Sequence, residues 1–79
     1  MTEAVHYSMV IEWSPEDQGY VVTLPEWAGI YTMPATDGKT YEEAVARGRN
    51  VLENFIDFAR EDNLPLPEPH VYVAHEDVA

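Results

Sequence analysis

TYEEAVARGRNVLENFIDFAREDN, residues 40–63, decides the fold. Tyr41, Ala44, Val45, Val51, Leu52, Phe55, Ile56 and Ala59 recur at helical spacing and predict one apolar stripe. Thr40 is a natural N-cap, and Glu43 three residues on completes a capping box. Glu42 and Glu43 suit the positive end of the helix dipole. Gly48 falls on the same stripe, where the missing side chain lets the helix approach whatever it covers.

Upstream the period changes to two. In residues 5–13, VHYSMVIEW, the side chains of Val5, Tyr7, Met9, Ile11 and Trp13 share one face, which predicts a half-buried strand. SPEDQG then supplies turn chemistry, and YVVTLP reads as a second strand, so an antiparallel hairpin is expected. Pro25 stops that strand, EWAG is a bend, and IYTMP at 30–34 reads as a third short strand before the polar loop ATDGKT. Downstream, LPLPEP cannot continue a helix. HVYVA at 70–74 reads as a last strand and HEDVA as an acidic tail. The expected fold is therefore α+β, β-β-β-α-β, a mainly antiparallel sheet with one helix on one face. Residues 1–79 make a single domain without repeats.

Composition narrows the function. Fifteen acids oppose Lys39, Arg47, Arg49 and Arg60, for a net charge of −11. Such a surface repels phosphate backbones and anionic lipid, which argues against direct nucleic-acid or membrane binding and suits a basic protein partner. The plainer alternative is that acidity only keeps a small protein soluble. Cysteine is absent, no signal peptide is visible, and no run approaches the roughly 18 apolar residues that span a bilayer. A cytoplasmic location is expected. A chain of 79 residues gains stability by covering a sheet edge or apolar face with another copy, so a homo-oligomer, dimer or tetramer, is expected.

No residue pattern calls for catalysis or a cofactor. His6, His70 and His75 are not spaced as a helical metal pair, and a metal needs three or four fixed ligands. Ser8 and Ser14 lack the glycine-framed turn of an activated nucleophile. Glycines 19, 29, 38 and 48 are too scattered to cradle a phosphate. A carboxylate hydrolase around Glu12, with Glu16 and Asp17 in the following turn, is the weakest alternative. Glu53, Asp57 and Glu61 repeat every four residues along one helix face. They read either as a solvated face or as a stripe awaiting a cationic partner, at a small like-charge cost to the helix. Two tryptophans and five tyrosines, with no basic groove beside them, suit a core or a protein interface. Trp27 and Tyr31 join Glu53, Asp57 and Glu61 as candidate partner-binding residues, Trp27 being the anchor if it is exposed.

In order and spacing these pieces resemble the HicB-like antitoxin family. The similarity rests on Gly19, Tyr20, Val22, Pro25 and Gly29 after the acidic turn. It continues with Thr40, Glu42, Glu43 and Ala44 opening the helix, and Pro65, Leu66, Pro67 and Pro69 after it. It covers about residues 7–70. The resemblance implies a truncated RNase H-like frame without nuclease activity. It also implies a HicA-like partner, a small basic mRNA-cleaving toxin that the antitoxin neutralises by occlusion. The family's C-terminal DNA-binding domain has no counterpart here, so a short form without operator binding is expected. The loop MPATDGKT is also longer than the family's usual turn. The alternative within the same fold is a solitary oligomeric domain with no toxin beside it.

Overall fold

The computed structural model describes residues 6–74. Val5 and the tail at 75–79 lie outside that range. The first strand, expected over 5–13, begins only at Val10, since residues 6–9 are described and form no strand. The order is β1 (Val10–Ser14), β2 (Gly19–Thr23), a 3-10 turn (Pro25–Trp27), β3 (Thr36–Gly38) and α1 (Tyr41–Glu61). The three strands form one antiparallel sheet in the order β1-β2-β3. A single helix packs on it, as the two expected periodicities require.

The hairpin forms where the alternation places it. Ile11 faces Val22 and Trp13 faces Tyr20 across the strands, with Ser14 opposite Gly19 at the turn. The left-handed residue of that turn is Gln18, at φ 53, and not the glycine. Its backbone N–H and its Nε2–H both donate to the Pro15 carbonyl, at 3.3 and 2.8 Å. Gly19 is used for closeness instead, since a Cβ there would lie 3.0 Å from the Gly38 carbonyl oxygen.

The helix begins as its cap predicts. The Glu43 N–H donates to Thr40 Oγ1 at 3.0 Å, an interaction that contributes about 1 kcal/mol. The reciprocal arm reaches one residue further than a capping box, because Glu43 Oε1 accepts from the Lys39 N–H at 2.6 Å. At the other end Asn63, at φ 58, adopts the left-handed conformation. The Leu64 N–H then donates to the Ala59 carbonyl and the Asn63 N–H to that of Arg60, which closes a Schellman motif.

The core joins Val22, Leu24 and Trp27 to Ala44, Leu52, Ile56 and Ala59. Two glycines set the spacing of helix and sheet. A Cβ on Gly38 would come within 2.5 Å of the Ala44 backbone nitrogen, and one on Gly48 within 2.8 Å of Met9 Sδ. The expected close approach at Gly48 is therefore present. A tighter one at Gly38 locks β3 to the first helical turn.

Three expectations are corrected. The third strand is not 30–34 but Thr36–Gly38, inside the stretch read as a loop. The N–H groups of Ile30 and Tyr31 are already taken by the Trp27 carbonyl, at 3.0 and 2.9 Å, so this segment wraps the turn and pairs with nothing. Residues 70–74 form no strand. A strand needs a neighbour for its N–H and C=O groups, and past His70 the described chain is exposed and pairs with no described strand. Lastly, Tyr41 and Val45 belong by period to the buried stripe yet are 58% and 39% exposed. Ala44, between them, is fully buried against Gly38, and Tyr41 stacks on the ring of Tyr20.

Candidate functional site

Of the five residues expected to bind a partner, Trp27 is placed where it cannot. It is fully buried, ringed by Tyr7 at 5.4 Å, Phe55 at 5.7 Å and Tyr31 at 6.1 Å between ring centroids. The 3-10 turn starting at Pro25 aims the indole inward, so Trp27 anchors the core and not an interface. Its Nε1–H finds no acceptor among the described residues. Tyr31 is half-buried and stacks on Phe55 with centroids 4.1 Å apart, which makes it part of the same cluster.

Glu53, Asp57 and Glu61 are all exposed on α1. Each follows the buried stripe by one or two positions (Leu52, Ile56 and Ala59), so the three carboxylates line one flank of the helix in successive turns. Among the described residues no salt bridge joins any of them to a cation. Arg47, by contrast, bridges Glu43 at 3.2 Å and Asp37 at 3.4 Å across the join of helix and β3. All three of those groups are well exposed, so the bridges tether the surface and add little stability.

A second surface was not expected. Trp13 meets Tyr20 edge to face at 5.2 Å, and Tyr20 stacks on Tyr41 at 4.3 Å. The row continues one helical turn on to Val45. Trp13 is 51% exposed, so the row is an apolar surface at the helix N-terminal end of the molecule. Its signal was the hairpin register, which sets Trp13 opposite Tyr20. The helical period alone assigns Tyr41 and Val45 to the core.

A polar cluster sits at the opposite end. Glu26 accepts from the Ser8 N–H at 3.2 Å, from the Ser8 hydroxyl at 3.0 Å and from the His70 N–H at 2.8 Å. Beside it the Tyr7 hydroxyl donates to the Pro67 carbonyl at 2.7 Å. Burial, the largest single influence, acts to raise the carboxyl's pKa. The hydrogen bonds from the N–H groups of His70, Glu26 itself and Ser8, and from the Ser8 hydroxyl, outweigh it and hold the group below its ordinary value. The arrangement fastens two distant segments and presents no substrate cleft.

Glu12 lies exposed on β1, and Asp17 caps the hairpin turn by accepting from the Ser14 hydroxyl at 2.9 Å. Among the described residues no group of three or more His, Asp or Glu side chains is gathered to hold a metal ion. His75 lies outside the described residues. No described helix is long and apolar enough to cross a membrane. No family model matches this chain, and no curated protein and no solved structure is similar enough to match it.

Proposed function

We propose that this domain acts by binding, not by chemistry, and neutralises a small basic partner by covering it. In the reading that the HicB-like resemblance favours, the frame is a truncated RNase H-like one and the partner is a HicA-type mRNA-cleaving toxin. One observation carries the proposal: Glu53, Asp57 and Glu61 line an exposed helix flank, with no salt bridge to a cation among the described residues. Like charges four residues apart cost the helix a few tenths of a kcal/mol per pair. A cationic partner turns that cost into attraction, and the net charge of −11 steers its approach. The partner's own RNA surface is then the one occluded, and no nucleic acid touches the acidic domain.

If a short basic reading frame lies beside its gene, co-expression with that protein tests this. Growth rescue and a complex that co-purifies at low salt are expected. Glu53→Gln, Asp57→Asn and Glu61→Gln together should weaken that complex at least tenfold and flatten its salt dependence. No association at low salt sinks the proposal. The second reading, a solitary oligomeric domain, draws on the uncovered row of Trp13, Tyr20 and Tyr41.

A further inference from the structure

Two features of the fold lack a partner, and each has the form the other needs. The first is the outer edge of β1. Along β2, the Val22 carbonyl accepts from the Ala35 N–H at 2.8 Å and the Leu24 N–H reaches Met33 Sδ at 3.4 Å, both on the side of β3. Alternation then turns the main-chain groups of Val21 and Thr23 toward β1, opposite Glu12 and Val10. The N–H and C=O groups of Ile11 and Trp13 consequently point away from β2, to the free edge of the sheet. That edge has no lysine, no proline and no bulge in its register, and Glu12 is its one charge.

The second feature is the arm at residues 71–74. Val71, Tyr72 and Val73 are 68%, 87% and 65% exposed. They are β-branched and aromatic and carry no charge, which is the composition of a strand. The root of the arm is fixed. The His70 N–H is held by Glu26, the same carboxylate that holds Ser8 two residues before β1 begins. The arm therefore leaves the fold near the start of the edge strand, and among the described residues it pairs with no strand.

We infer that two copies of this chain exchange these arms, residues 71–74 of each adding as a strand to β1 of the other. In a two-fold pair both deficits are met twice by one operation. Val71 and Val73 share one face of the added strand. Across β1 the side chains that face the helix are Ile11 and Trp13, and the row through Tyr20 and Tyr41 extends from them. The arm contributes no charge to the contact, but each copy carries −11. Added salt screens that repulsion and strengthens the pair. The complex with a basic partner responds to salt in the opposite sense, so the exchange stands apart from the toxin reading and fails separately from it.

Light scattering on the full chain, from low to high micromolar, should give the mass of a dimer, and salt should shift the transition to lower concentration. Val71→Asp with Val73→Asp should weaken it at least tenfold and leave the circular dichroism of the monomer unchanged. Hydrogen exchange supplies the second measurement. The Ile11 and Trp13 amides should be protected at dimer concentrations and exchange freely in the double variant. A wild-type monomer at high micromolar, or a dimer that survives the substitutions, overturns the exchange. So does protection of those amides in a monomer, which means the arm has closed on its own edge.

Discussion

The backbone N–H of His70 donates to Glu26 Oε2 at 2.8 Å across 44 positions of the chain. The same carboxylate holds Ser8, so one side chain joins the approach to β1 with the segment that follows the helix. Folding favours its ionised form, because hydrogen bonds outweigh burial and lower its pKa below 4.5. Its contribution is fully present above that value and is lost as pH falls through the lower, folded one.

Glu26→Gln should therefore cost about 1 kcal/mol at neutral pH. The difference from wild type should shrink as pH falls below 4.5 and the native carboxyl takes up its proton. Urea midpoints of the two proteins across that range check it. The other acids titrate in both proteins and cancel. A gap that stays constant as pH falls means the ionised form is not what folding selects.

The two tryptophans should report opposite environments. With Trp13 replaced by Phe, the remaining Trp27 emission should be blue-shifted and poorly quenched by acrylamide. With Trp27 replaced by Phe, the remaining Trp13 emission should be red and readily quenched. Trp27→Ala should cost about 3–5 kcal/mol, the usual range for deleting a core aromatic. Equal quenching of the two indoles contradicts the burial assigned here.

Gly38 and Gly48 should differ sharply on substitution by alanine. At Gly38 the new methyl meets helix backbone at 2.5 to 2.9 Å, which cannot yield without parting β3 from the helix. A loss of about 3 kcal/mol or more is expected. At Gly48 the nearest atoms are the Met9 sulfur and a Val22 methyl, which can shift, and alanine brings up to about 1 kcal/mol of helix propensity. Gly48→Ala should therefore stay within about 1 kcal/mol of wild type. Thermal melts of the pair decide the order.

Asn63 closes the helix with φ 58. Asn63→Gly should hold stability to within about 0.5 kcal/mol, and Asn63→Val should lower it by about 1–2 kcal/mol, because a β-branched residue resists that conformation. Chemical denaturation of both variants measures this. Equal effects place the helix end elsewhere.

Much of the architecture is legible in local chemistry. The hairpin follows from alternation around SPEDQG, and the helix start from Thr40 and Glu43, because those signals act within a few residues. The third strand is not legible: Asp37 and Gly38 have little strand propensity, and the segment pairs because Gly38 lets it lie against the helix start. The burial of Trp27 depends on Tyr7, Tyr31 and Phe55, two of them distant in sequence, so the bend around it does not disclose which way the indole points. A helical period also does not disclose which positions of a stripe the sheet covers, and Tyr41 and Val45 stay exposed although Ala44 between them is fully buried. For the candidate site, the acidic flank is readable from spacing and the aromatic row only from strand register.

The Tyr7 hydroxyl and the Pro67 carbonyl, bonded across 60 positions, have a consequence for the order in which the molecule loosens. They and Glu26 form a polar latch at the far end of a structure whose interior is apolar. Hairpin and helix already hold the two segments near each other, so the latch secures only short flanking stretches, and a few part-exposed hydrogen bonds open before the helix leaves the sheet. Unlatching releases the root of residues 71–74 while hairpin and helix stay together. The swing of the arm is thus governed by one carboxylate and one phenol, and not by the stability of the fold as a whole.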